Sequence, residues 1–212
     1  MDWDIRNSVV TSLLDVSVQS VVKNIKSYWS CLDVLPSNLR DRCLHLMSKR
    51  GLLTDINIRK VLHDKLMVLD LSESSISDVG LQHINKCPQL RKLDLNATKG
   101  CRPEITTEGI KCVANSCHYL HTVYLRRCTS ITDEAVICLA EHCPQLQALN
   151  LGGCHQLTDR SLKALGEHCQ LLKCIIFSKT KSFEVINQLL QICRLKFYFS
   201  VADPHHTLQL PL

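Results

Sequence analysis

Aromatic residues are scarce in this chain, 5% of 212 positions, so any sizeable core must be filled by Leu, Ile, Val and Cys. Seven glycines leave little from which to build a phosphate-cradling loop. No nucleophile–base pair or paired-carboxylate motif stands in a recognisable setting either. No stretch approaches the apolar length that spans a bilayer. The opening Met1-Asp2-Trp3-Asp4 lacks the basic start and apolar run of a signal peptide. The net charge of +5 is mild, and its basic pairs, Lys49-Arg50, Arg91-Lys92 and Arg126-Arg127, are scattered without interleaved stacking aromatics. These absences lead us to expect a non-enzyme without cofactor or metal, with no nucleic-acid or membrane partner. The expected state is a monomer in the cytoplasm and/or nucleus, where thiols stay reduced.

Thirteen cysteines and ten histidines are the abundance that needs a reason. Zinc sites call for local pairs such as C-x-x-C, and none occurs. The cysteines recur in register instead. Cys117, Cys143 and Cys169 lie 26 residues apart, and Cys128 and Cys154 share a second station. A small apolar residue suits a crowded, buried column, so these thiols are read as core. A zinc- or thiol-dependent enzyme is the competing reading. His142 and His168 precede their repeat cysteines, where a helix C-terminus favours imidazole.

The register belongs to a repeat of the form L-x-x-L-x-L-x-x-C followed by (I/L)-T-D, the pattern of leucine-rich repeats. One copy runs through Leu146, Leu149, Leu151, Cys154, Leu157, Thr158, Asp159, Leu162, Leu165 and Cys169. Another runs through Leu120, Val123, Leu125, Cys128, Ile131, Thr132, Asp133, Val136, Leu139 and Cys143. Leu90, Leu93 and Leu95 open an earlier unit that is four residues longer, with the excess in the loop Lys99–Glu104. Leu66, Leu69 and Leu71 open a unit two residues shorter.

Leucines two apart share one face of a strand. Val136, Leu139 and Cys143, spaced i, i+3, i+7, share one face of a helix. Thr132 and Thr158 are expected helix N-caps, and Asp133 and Asp159 complement the helix dipole. Each unit is thus strand, turn and helix, and none can bury its apolar face alone. The fold expected is an α/β leucine-rich-repeat solenoid, a right-handed horseshoe with a parallel concave sheet, convex helices and an N-terminal helical cap. Residues 1–64 form the cap and a half repeat, 65–180 the repeats, and 181–212 an atypical C-terminal helix and irregular tail. The cap should hold a helix carrying Val9 to Ile25 and a second running from Ser37 to Ser48. The closing helix would carry Val185 to Cys193, and nothing repetitive follows Lys196.

The positions between the strand leucines face outward on the concave side. One column reads Asp70, Asp94, Tyr124, Asn150 and Ile176. Its flanking columns read Ser72, Asn96, Arg126, Gly152, Ser178 and Val68, Lys92, Thr122, Ala148, Cys174. The expected partner-binding residues are Asp70, Ser72, Lys92, Asp94, Asn96, Thr122, Tyr124, Arg126 and Asn150. Lys99 and Arg102 would join them from the long loop. Tyr and Arg are frequent interface anchors, so the centre of the face is its most promising part.

The C-P-x-L-x-x-L-x-L-x-x-C-x-x-(I/L)-T-D pattern resembles the cysteine-containing leucine-rich repeats of F-box proteins, substrate receptors of SCF-type ubiquitin ligases. The phrases Leu35-Pro36-Ser37-Asn38-Leu39, Leu93-Asp94-Leu95-Asn96-Ala97, Thr107-Glu108-Gly109-Ile110-Lys111 and Leu149-Asn150-Leu151-Gly152-Gly153-Cys154 carry it. The resemblance spans about residues 10–180. It implies a protein partner, either a ubiquitin-ligase substrate or a cell-cycle regulator. The family continues with further repeats after about residue 180, and its F-box is not convincingly present. Leu35-Pro36 is similar to the start of one, but Trp29 precedes it and the segment is short.

Overall fold

The structure is a computed structural model, and residues 13–177 together with the backbone of 196–199 are described. The cap begins with helices α1 (Leu13–Lys23) and α2 (Ile25–Tyr28), which runs into a 3₁₀ segment, Trp29–Val34. Helix α3 (Ser37–Lys49) follows Pro36, whose carbonyl accepts from the Leu39 and Arg40 amides at 3.0 Å each. Val18 and Val22 of α1 are buried in the same core as Cys43, Leu44 and Met47 of α3. The short helix α4 (Ile58–Val61) closes the half repeat.

From there the units alternate. Strand β1 (Val68–Asp70) leads to α5 (Asp78–Leu81), and β2 (Lys92–Asp94) to α6 (Thr107–Ser116). Strand β3 (Thr122–Tyr124) precedes α7 (Asp133–His142), and β4 (Ala148–Leu151) precedes α8 (Asp159–His168). Strands β5 (Cys174–Phe177) and β6 (Lys196–Phe199) complete a parallel sheet ordered β1 to β6. The register matches the repeat alignment: Leu69, Leu93, Val123, Leu149 and Ile175 are successive partners, each at most 1% exposed.

Strand β6 corrects the expectation of an irregular tail from Lys196. It pairs in parallel with β5, Ile175 beside Phe197. Lys196-Phe197-Tyr198-Phe199 holds no repeat leucine, but aromatic residues favour strands and the bare edge of β5 is a template for pairing. The closing helix expected over 185–193, Ser178 and the histidines of the tail lie outside the described residues. So does the start of the first expected helix.

At the other edge, α3 covers β1. The buried Ser48 hydroxyl donates to the Asp70 carbonyl at 2.6 Å, and Lys49 pairs with the Asp70 carboxylate at 3.3 Å. Polar groups that an open edge strand would leave bare are satisfied there.

Three ladders tie the repeats together. In the first, a thiol donates to a backbone carbonyl one repeat back: Cys117 to Cys87 at 3.3 Å and Cys143 to Cys117 at 3.4 Å. In the second, Cys154 donates to the Leu125 carbonyl at 3.1 Å and Cys128 to that of Leu95 at 3.6 Å. Cys117, Cys128, Cys143 and Cys154 are therefore core residues that also serve carbonyls a Leu or Ala could not. Burial pushes the Cys87, Cys117, Cys128, Cys143 and Cys154 thiols up to about 12.

The third ladder revises the role of the T-D aspartates. The Asp133 carboxylate is buried and accepts from the Thr158 amide at 2.7 Å and its hydroxyl at 2.6 Å. Asp78 does the same for Thr106, and Asp55 for Ser77. Gly109 packs against the Asp78 carboxylate so closely that a Cβ would collide with it. Ser77, Thr106 and Thr158 cap their helices through the amides of Val79, Glu108 and Arg160. Thr132, expected to cap likewise, makes no such bond; its hydroxyl meets that of Thr107 at 2.9 Å, because Thr107 stands where the other units have Asp.

Candidate partner-binding face

The outward columns assemble as the alternation requires. Asp70, Asp94, Tyr124 and Asn150 are consecutive register partners, as are Lys92, Thr122 and Ala148. All seven are half-buried, the condition of side chains standing on a sheet, while Val68, the register partner of Lys92, is exposed. Ser72, Asn96 and Arg126 follow at the strand exits, where the ladder continues through Ala97 N–H donating to the Arg126 carbonyl at 2.9 Å.

Most of the central column has a local duty. The Asp70 carboxylate accepts from the amide and hydroxyl of Ser72, at 3.0 and 2.7 Å. Asp94 accepts from the Asn96 amide and Asn150 from the Gly152 amide, each at 3.0 Å. These Asx turns bend the chain out of each strand. Hydrogen bonds from Ser72 and Lys49 hold the Asp70 carboxyl below its ordinary range against the opposing pull of burial. Burial raises that of Asp94, aided by the charge of Asp70.

Tyr124 breaks this pattern. A phenol cannot accept from the amide two residues on at that distance, and the Arg126 amide is served from the previous repeat by the Asn96 side chain at 2.9 Å. The Tyr124 ring is left to face outward, with the Lys92 ammonium 5.3 Å from its centroid, a cation–π contact. Arg126 is exposed and forms no ion pair among the described residues.

The long loop divides. Lys99 is exposed and borders a cleft of about 440 Å³ lined also by Ser72, Glu73, Ser74, Thr98 and Glu104. Arg102, expected to reach a partner, is buried at 7% exposure. Its guanidinium donates to the carbonyls of Leu71 at 2.7 Å, Ile76 at 2.9 Å and Ser74 at 3.2 Å. It is a structural clamp, because the four extra residues carry it inward rather than outward. Arg127 was absent from the expected set, although aligning the units places it at the turn position of Gly153. Both have left-handed backbone, φ 61° and 81°. Among the described residues no group of three His, Cys, Asp or Glu side chains converges as a metal site would, and no helix is long and apolar enough to cross a membrane.

A leucine-rich-repeat family model matches residues 116–140 and 142–166. A chain of the yeast Rad7–Elc1 complex is similar over 90% of this chain, with 19% identity and a TM-score of 0.62. The match spans about half of that chain, 53%. A Bacteroides fragilis protein, 14% identical over 83% of this chain and 63% of its own, gives a TM-score of 0.28, too low to inform the fold. With the six-stranded parallel sheet and its ladders, the family-model match and the likeness to the Rad7–Elc1 chain define the protein as an α/β leucine-rich-repeat solenoid.

Proposed function

We propose that this solenoid is a non-enzymatic protein-interaction module that grips a protein partner on its concave face around Tyr124 and Arg126. The observation that carries the reading is the departure at Tyr124. Where neighbouring units spend the position on a strand-exit turn, this one exposes an aromatic ring beside two basic residues. Tyr and Arg side chains are enriched among the residues that anchor interfaces. The resemblance to F-box receptors, and in its longer phrases to the antagonist of mitotic exit network protein 1 homologue, supports a finer role. In that role the chain is the recognition component of an SCF-type ubiquitin-ligase pathway or a cell-cycle regulator that sequesters its partner, in the cytoplasm and/or nucleus. Proximity labelling in cells tests it, comparing the wild type with Tyr124→Ala/Arg126→Ala. Partners of the ubiquitin pathway or the cell cycle should be lost with the double substitution. A labelling pattern that the substitution leaves unchanged contradicts the reading.

A second reading, a complete receptor that also docks the cullin adaptor through its cap, draws on one observation. Leu13, Val16 and Val34 expose apolar side chains there, at 84%, 52% and 79%. Adaptor capture lost on Leu13→Glu/Val16→Glu/Val34→Glu supports this version, and no capture by the wild type removes it.

A further inference from the structure

The centre of the concave face carries more positive charge than its repeat pattern needs. Arg126 and Arg127 leave β3 side by side, both exposed, and neither forms an ion pair among the described residues. The corresponding pair in the next unit is Gly152-Gly153. A Cβ built on Gly152 would lie 3.7 Å from the Arg126 Cγ, and one on Gly153 would lie 3.0 Å from the Arg127 Cγ. The two arginine stems thus run beside backbone that has no side chains to displace them. Lys92, over the Tyr124 ring, adds a third cation to the patch.

Arg127 also holds a conformation that suits it poorly. Its φ of 61° falls in the left-handed region, which glycine adopts freely and branched or long residues avoid. The next unit uses glycine there, so the turn itself does not ask for arginine. Strain retained at an exposed position points to a use for the side chain.

We propose that Arg126 and Arg127 form an anion-reading point that receives Asp or Glu side chains from an extended segment of the protein partner, with Tyr124 as the adjoining apolar wall. The proposal rests on the concave face being the docking surface, and it specifies the chemistry of what docks. Paired guanidinium groups match carboxylates in fork geometry, and the charge they carry here is otherwise uncompensated. A carboxylate is favoured over a phosphate because Asp70 and Asp94 share the column with Tyr124, and their charges oppose a dianion more than a monoanion.

Selection of random twelve-residue displayed peptides on the full chain provides the test, followed by fluorescence anisotropy of the selected sequences. Selected peptides should be enriched in Asp or Glu beside an apolar residue and should weaken about tenfold or more on Arg126→Glu/Arg127→Glu. Reversing the peptide's acidic residues to Lys should restore binding to that variant. Arg127→Gly should weaken binding while leaving the thermal midpoint unchanged or higher, which separates a lost contact from a lost fold. An empty selection, neutral or basic peptides, a requirement for phosphorylation, or failure of the charge reversal overturns the proposal. If Tyr124→Ala abolishes binding and Arg126→Glu/Arg127→Glu does not, the concave face stands as the docking surface and the anion-reading point falls. If neither matters, both fall.

Discussion

The Arg102 guanidinium donates to the Leu71 carbonyl at 2.7 Å, the station that Cys128 takes toward Leu95 and Cys154 toward Leu125 in the next two units. The unit with the long loop has no cysteine at its repeat position, which is Thr98, and the loop returns an arginine to the same carbonyl. A buried charge is costly, and this one is held by backbone oxygens of Leu71, Ser74 and Ile76.

Removing it should expose that cost. Arg102→Ala removes the donor shared by the carbonyls of Leu71, Leu95, Ser74 and Ile76, so a loss of about 3 kcal/mol in urea unfolding is expected. Lys99→Ala, three residues earlier in the same loop and exposed, should stay within about 0.5 kcal/mol. Equal effects of the two would show that the loop does not clamp the array.

The aspartate ladder has a gap that can be filled. Thr107 sits between Asp78 and Asp133 in the series, and its one hydroxyl oxygen meets both the Thr132 amide at 3.0 Å and the Thr132 hydroxyl at 2.9 Å, where a carboxylate would give each its own charged oxygen. Thr107→Asp should stabilise the chain by about 0.5–1 kcal/mol. The neighbouring residue is Ala135, and Asp133 already tolerates Ser161 in the equivalent place, so space is available. Asp133→Ala should cost about 2 kcal/mol, because the Thr158 amide and hydroxyl lose their acceptor. Thermal melts of both variants decide the matter.

The buried thiols predict a pH dependence. Their folded values, about 12, lie above the ordinary 9.0, so the unfolded chain releases these protons first. The stability they contribute is complete below pH 9 and is lost as pH rises toward 12. Unfolding midpoints in urea should therefore fall progressively across that window. At pH 8, Ellman's reagent should label the exposed Cys31 and Cys101 quickly and Cys117, Cys128, Cys143 and Cys154 only as the chain unfolds. Rapid labelling of the second set in the native state would contradict their burial.

Strand register was legible because alternation is a one-dimensional rule: Leu93 beside Val123 beside Leu149 follows from spacing alone. The outward columns around Tyr124 came with it. What spacing could not convey is where an insertion folds. Arg102 read as a projecting loop residue, and only three-dimensional closure brings it to the Leu71 carbonyl. Arg127 was missed for a related reason, since a turn position reveals its left-handed backbone only by comparison with Gly153. Strand β6 lies beyond the last residue that the repeat pattern reaches, so its pairing with β5 rests on an available edge rather than on a pattern.

The division between face and core can be measured directly. Leu149 is 1% exposed among the strand leucines, and Leu149→Ala removes buried methyl groups that neighbouring repeats cannot replace. A cost of about 2–5 kcal/mol is expected, seen as a lower urea midpoint. Tyr124→Ala/Arg126→Ala touches only outward side chains, and the Asn96 bond to the Arg126 amide survives it. Its thermal midpoint should stay close to wild type while partner binding drops. If the double substitution destabilised the chain as much as Leu149→Ala does, Tyr124 and Arg126 would be structural, and the concave face would lose its claim as the docking surface.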